Sequence, residues 1–303
     1  MRKVTEDFKA FGPYRTYYRI VGEPSEMYPD PVVLLHGGPG STHNYFEVLD
    51  PLADEGIQLV MYDQLGCGLS YVDGHPELWK METWVEELSA LTAHLHLSHF
   101  HLLGQSFGGM LALAWTLEHG AKGLRSLILS STLSSSALWG EEQHKQIKRL
   151  SLEDQEAIAD AEATGDFASS RAQEATAHFM ERFCAGPVGE DSPECLRRKS
   201  RKGSESYLVA WGPNEFTPSG TLKDFDVTAR LGEIQVPALV LHGSSDLCTD
   251  RVAQVLTEGI PKAKLHRFEG ARHSCFVESN EAYCDVLRQW LQEHSGSFDF
   301  RQE

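Results

Sequence analysis

The stretch Phe100-His-Leu-Leu-Gly-Gln-Ser-Phe-Gly-Gly-Met-Leu-Ala-Leu-Ala-Trp115 passes from a short apolar strand, through a serine set between glycines, directly into a helix-forming segment. Few folds accommodate that passage. The chain must reverse within a residue or two, and Gly104 and Gly108 supply the room for a strained turn that lifts Ser106 above a sheet, at the N-terminus of a helix.

The rest of the chain agrees with this constraint. Short apolar, β-branched runs bounded by Gly or Pro read as buried strands at Val32 to Leu35, Ile57 to Tyr62, Phe100 to Leu103, Leu124 to Ser130, Ala238 to His242 and Lys264 to Phe268. Tyr14 to Val21 reads as an antiparallel edge strand. Between them lie helical patterns, such as Trp84, Leu88, Leu91 and Leu95, and Tyr283, Val286, Leu287, Trp290 and Leu291 near the C-terminus. Strands alternating with helices predict an α/β class with a mostly parallel central sheet. From about Ser134 to Thr228 strand signals vanish and charged helical patterns replace them, at Glu141 to Ala163 and Phe167 to Cys184. The expected organisation is therefore a core in two parts, 1–133 and 229–303, with a helical cap at 134–228 spliced between them. Beyond Glu293 the tail is expected to fray.

Composition excludes several classes. Lys and Arg number 27 against 44 Asp and Glu, a net charge of −17, and no basic run is read along the chain, which argues against nucleic acid or an anionic membrane as partner. Six cysteines without a CxxC pair read as free thiols of a reducing compartment. The N-terminus has no apolar signal region, and no stretch approaches the length of a membrane span. The expectation is a cytoplasmic protein with no cofactor and no metal, and no feature of the sequence sets an oligomeric state.

A serine hydroxyl at such a turn needs a base and an orienting acid. Of the 14 histidines, His273 lies in Gly270-Ala-Arg-His-Ser, after the last strand and before the C-terminal helix. Asp246 follows the strand at Ala238, within Gly243-Ser-Ser-Asp, giving the chain order Ser, Asp, His that accompanies this turn. Asp250 is the rival acid, better explained as an N-cap of the helix beginning at Arg251; Asp224 and Asp226 precede the strand and are poorer candidates. His99 and His101 read as alternating on a strand and His94 and His96 as lying near a helix end, with no HExxH-type pattern for a metal. The oxyanion hole is expected from the backbone N–H of Phe107 and that of Gly38, in the loop Leu35-His-Gly-Gly-Pro-Gly40, where glycines let N–H groups approach a ligand. His36 reads as a loop anchor as readily as a catalyst.

His36-Gly-Gly-Pro-Gly40, Tyr62-Asp-Gln-Leu-Gly-Cys-Gly-Leu-Ser70, Gly104-Gln-Ser-Phe-Gly-Gly109 and Gly212-Pro-Asn-Glu-Phe216 together resemble the proline iminopeptidases, over roughly residues 10 to 293. These are α/β-hydrolases with a helical cap, and L-amino acid amidases are closely similar. The resemblance implies release of N-terminal residues, proline or other small or hydrophobic ones, from peptides or amino acid amides. It also implies that Glu215 binds the substrate α-amino group, with Gly37 and Trp211 as further substrate contacts. One departure stands out: the second carboxylate usual directly after the triad aspartate is Leu247 here. A leucine beside the site would widen the accepted side chains and leave Glu215 alone with the amine. Two competing readings follow: an esterase or lactonase of the same fold that needs no amine, and a non-catalytic binding protein on this scaffold, against which an intact Ser-Asp-His set argues. An epoxide hydrolase or dehalogenase is disfavoured, because those enzymes carry Asp where this chain has Ser106.

Overall fold

The computed structural model describes residues 2–296; of the tail expected to fray, residues 297–303 lie outside the described residues. The strands are β1 Val4–Phe11, β2 Tyr14–Val21, β3 Val32–Leu35, β4 Leu59–Tyr62, β5 Phe100–Gln105, β6 Leu124–Ser130, β7 Ala238–Gly243 and β8 Ala263–Phe268. They form one sheet in the order β1-β2-β4-β3-β5-β6-β7-β8. β1, β2 and β4 pair antiparallel, and every pairing from β4 to β8 is parallel. The helices are α1 Met81–His94, α2 Phe107–His119, α3 Ser136–Ile147, α4 Leu152–Thr164, α5 Ser170–Phe183, α6 Glu194–Arg197, α7 Ser204–Ala210, α8 Asp250–Gly259, α9 Cys275–Glu278 and α10 Asn280–His294.

β3, β5 and β7 are buried along their whole length, which is why they read as unbroken apolar runs rather than alternating ones. Successive side chains point to opposite faces. Leu102 of β5 joins the core under α1, α2 and α8, whereas Leu103 joins the core under α10 and the 3-10 segment His43–Glu55. Gly108 marks the closest approach of α2 to the sheet: a Cβ there would drive into the Leu35 carbonyl of β3. Gly108→Ala is therefore expected to lower stability by about 1–3 kcal/mol through overpacking, read as a drop in the denaturant midpoint at constant m-value. An unchanged midpoint would show that helix and strand have room to part.

Several sequence expectations need correction. Tyr14–Val21 is antiparallel but not the edge; β1 lies outside it, paired residue for residue from Val4–Val21 to Phe11–Tyr14. β1 is mostly exposed and carries Glu6, Asp7 and Lys9, so backbone pairing rather than a buried face holds it, and no periodicity announces it. Ile57 and Gln58 precede β4. The pattern Glu141 to Ala163 is two helices, because the Ser151 hydroxyl accepts from the Asp154 N–H at 3.1 Å and starts α4 afresh. His99 lies just before β5 rather than on it. Most consequentially, residues 197–202 read Arg-Arg-Lys-Ser-Arg-Lys, so the chain does contain a basic run.

The segment between β6 and β7 holds α3 to α7 and, among the described residues, no strand; a single bridge joins Ser135 to Asp226. It carries its own aromatic cluster, Phe179, Phe183 and Phe216, with ring centroids 5.2 and 5.3 Å apart. All six cysteines are unpaired. Among the described residues no helix is long and apolar enough to cross a membrane.

Candidate active site

The site forms beyond the C-terminal ends of the parallel strands, where a doubly wound sheet leaves a crevice. β5 delivers Ser106 with φ 55° and ψ −124°, a positive φ costing a non-glycine residue of order 1–3 kcal/mol. The turn is fastened on both sides: the Ser106 N–H donates to the Ser130 carbonyl at 3.0 Å, and the Thr132 hydroxyl donates to the Ser106 carbonyl at 2.6 Å. Phe107 opens α2, so its N–H has no acceptor within the helix. Gly38 sits across from it at φ +120°, a conformation reserved for glycine, and a Cβ would stand 2.5 Å from the Gly40 nitrogen. Neither N–H donates to another backbone group among the described residues.

Asp246, beyond β7, is buried, and each of its carboxylate oxygens accepts two hydrogen bonds. Oδ1 faces His273 Nδ1 at 2.7 Å and accepts from the Cys248 N–H at 2.8 Å. Oδ2 accepts from the Ser131 hydroxyl at 2.6 Å and the Gly243 N–H at 3.0 Å. A carboxylate so placed fixes the proton of His273 on Nδ1 and leaves Nε2 as acceptor. The link from Nε2 to Ser106 is not closed into a hydrogen bond in this state, as is common before substrate aligns the groups. Asp250 stays out of the site, as expected. It is not the cap, however: Thr249 caps α8 by accepting from the Val252 N–H, and Asp250 pairs with Arg267 at 3.1 Å.

The helical segment holds these loops as well as covering them. From α3, Gln146 donates to the Asp246 carbonyl at 2.9 Å, Gln143 donates to the Leu247 carbonyl at 2.8 Å, and Glu142 accepts from the Thr249 hydroxyl at 2.7 Å. From α5, the carbonyls of Phe183 and Cys184 accept the N–H groups of His273 and Ser274 at 3.1 Å each. Trp139 places its ring edge-on to His273, at 5.9 Å, and its indole N–H donates to the Glu215 carbonyl at 2.9 Å. Sequence reasoning missed Ser131, Gln143, Gln146, Trp139 and Tyr207. The run of serines after β6 was a visible signal for Ser131, and its φ of 49° marks it as constrained.

Glu215 reaches the recess over Ser106, which Gly38, Phe107, Met110, Trp139 and Trp211 also line. Its carboxylate accepts from the Tyr207 hydroxyl at 2.8 Å. Burial pushes the Glu215 carboxyl above the ordinary range, while the Tyr207 bond and nearby His273 pull it back. The Asn214 amide oxygen accepts from the N–H groups of Phe216 and Thr217 at 3.0 and 2.8 Å, an Asx turn that shapes the Gly-Pro-Asn-Glu loop. The indole N–H of Trp211 is buried without a partner among the described residues. The recess amounts to about 10 Å³, hardly more than one water occupies.

Two expected contacts are not on its walls. Gly37 commits its N–H to the Tyr45 hydroxyl, and its carbonyl accepts from His36 Nδ1 at 2.8 Å. Leu247 is fully buried in the core, so it removes an anion without enlarging the recess. His36 is an anchor: burial pushes its pKa down to about 4, and Nε2 accepts from the Gln64 N–H at 3.1 Å. No group of three His, Cys, Asp or Glu among the described residues is arranged to hold a metal.

Comparison with known proteins converges on one group. Residues 30–279 match the alpha/beta hydrolase fold family. A proline iminopeptidase of Clostridioides difficile (strain 630) is 54% identical over 289 residues, covering 95% of this chain and 98% of that protein. One of Clostridium botulinum is 52% identical, covering 96% and 99%. Among solved structures, the proline iminopeptidase of Mycobacterium smegmatis superposes with a TM-score of 0.85 at 30% identity, covering 96% of this chain and 98% of that one.

Proposed function

Because the chain belongs to the proline iminopeptidase family of α/β hydrolases, we propose that it is a serine aminopeptidase releasing N-terminal residues, proline foremost, from short peptides or amino acid amides. In this reading Ser106 Oγ attacks the carbonyl of the N-terminal residue while His273 Nε2 takes its proton. Asp246 holds the imidazole tautomer and offsets the imidazolium charge that develops. The N–H groups of Gly38 and Phe107 receive the oxyanion, His273 protonates the leaving amine, and water then cleaves the acyl-enzyme with His273 as base. Trp211 contributes an apolar wall and a spare N–H. The segment 134–228 acts as the cap, and the six unpaired cysteines suit a reducing cytoplasm.

The observation carrying the amine requirement is a desolvated Glu215 carboxylate, steadied by Tyr207, in the same recess as Ser106. An ammonium ion is its natural complement, and an ester without an amine would leave that charge unpaired. Glu215→Gln is expected to raise KM for prolyl anilides about 10- to 100-fold, as a charge-assisted hydrogen bond of about 1.5–3 kcal/mol requires. Its raised pKa gives the sign with pH. As pH falls toward that pKa the carboxylate protonates earlier than an ordinary Glu, so KM climbs on the acid side in the wild type and this limb is missing in Glu215→Gln. Equal cleavage of prolyl and N-acetylprolyl anilides would overturn the aminopeptidase reading in favour of an esterase.

A further inference from the structure

The basic run Arg197–Lys202 puts five cations into six positions of a chain whose net charge is −17. Part of it is internally neutralised. Arg198 pairs with Glu47 at 3.0 Å and Glu194 at 2.7 Å, and Arg201 lies 3.2 Å over the Tyr71 ring with Asp73 at 3.9 Å. Lys199 and Lys202 have no carboxylate within ion-pair distance among the described residues, and the Lys202 ammonium has only the Ser41 hydroxyl, at 3.4 Å. An acidic protein that leaves two lysines unpaired side by side in one groove has an anion-complementary surface there.

The groove adjoins the recess over Ser106 at Gly38. A trough of about 350 Å³ is lined by Gly38–Ser41, Lys202–Ser204 and Tyr207, over the seam where the Gly203 N–H donates to the Gly40 carbonyl at 2.8 Å. A second, of about 450 Å³, continues past Lys202 to Lys199 and Arg197. Gly38 lines both the first trough and the recess over Ser106, and Tyr207, on the trough wall, is the residue that holds Glu215. In the pose the proposal requires, a substrate with its ammonium at Glu215 and its carbonyl oxygen at the Gly38 N–H sends its remaining residues past this shared wall. At about 3.3–3.6 Å per residue, one or two residues carry the chain end along the trough.

We propose that this trough is the leaving-peptide subsite, and that Lys202, backed by Lys199, binds the C-terminal carboxylate of di- and tripeptides. The subsite selects short peptides with a free C-terminus by pairing each end of the substrate with an opposite charge, the amine at Glu215 and the carboxylate at Lys202. Burial lowers the Lys202 pKa, so a bound carboxylate also restores the charged form of a partly desolvated ammonium. The proposal rests on the aminopeptidase reading above.

The test uses the full chain with prolyl-glycine, prolyl-glycinamide, prolyl-glutamyl amide and a prolyl anilide, each rate being referred to the anilide. The expected result is a kcat/KM about five- to tenfold higher for prolyl-glycine than for its amide, carried by KM. That advantage shrinks in 0.5 M salt on the scale expected for a screened ion pair, and Lys202→Gln brings the ratio near one. A gain for prolyl-glutamyl amide equal to that of prolyl-glycine would overturn the C-terminal assignment in favour of any nearby acidic group. Equal rates for acid and amide in the wild type, with the anilide cleaved, overturn the subsite. So does an acid preference that survives Lys202→Gln and the Lys199→Gln, Lys202→Gln double variant. If Lys202→Gln fails to fold, the salt series on the wild type decides alone. An anilide left uncleaved by the wild type instead overturns the aminopeptidase reading.

Discussion

Ser106→Ala should abolish turnover of a prolyl anilide, by roughly 10⁵-fold or more in kcat, while the protein remains folded and still binds substrate. The size follows from removing the hydroxyl proposed to form the acyl-enzyme; what would remain is stabilisation by the proposed oxyanion N–H groups. Because Ser106 is held at φ 55° by backbone bonds to Ser130 and Thr132 rather than by its hydroxyl, alanine keeps the strain. Ser106→Gly should relieve it and raise the melting temperature, with the same loss of activity. The pair of variants separates chemistry from conformation. Substantial activity in Ser106→Ala would displace this serine as nucleophile, and a Ser106→Gly protein no more stable than Ser106→Ala would show that the turn stores no strain.

Asp246→Asn should cost about 10⁴-fold in kcat and, unlike the serine change, destabilise the fold. Both oxygens of Asp246 accept two hydrogen bonds, from four separate donors including His273. An amide keeps one oxygen and turns an NH2 toward groups that are themselves donors. If the NH2 faces His273, the ring must flip its tautomer and loses its basic nitrogen, and the Cys248 N–H is left opposed; if it faces Gly243 and Ser131, the hydroxyl can turn to accept but the Gly243 N–H is left opposed. Either arrangement is expected to cost about 1–3 kcal/mol. Chemical denaturation alongside kinetics checks both, and an Asn variant as stable as the wild type would argue that the loop relaxes around it.

The sequence made Ser106, Asp246 and His273 visible through order and punctuation: each follows a strand. β5 and β7 are buried on both faces and write themselves as apolar runs, whereas β8, expected to be buried as well, is mostly exposed with only Phe268 turned into the core. The groups that aim them were not visible. Ser131 reads as one serine among several, and Gln143 and Gln146 read as the solvated face of a polar helix, because a polar side chain in a helix carries no sign of whether its partner is water or a distant carbonyl. β1 was missed for a related reason, since pairing of backbone groups leaves no pattern in side chains. The basic run at 197–202 was legible, yet the overall charge of −17 masked it. Gly37 was marked for its motif, and only the hydroxyl of Tyr45 shows where its N–H is committed.

The bonds from α3 to the Asp246 loop and from the end of α5 to the His273 loop bear on how such a protein can be recombined. Exchanging residues 134–228 for those of a relative, to change which substrates fit, transplants half of each joint and leaves the other half behind. A chimera that keeps Glu142, Gln143 and Gln146 together with the Phe183 and Cys184 carbonyl positions would inherit the Asp246–His273 pair in its present alignment. One that respects only the boundaries of the inserted helices would fold around a misaligned pair, and would be mistaken for an enzyme with the wrong specificity.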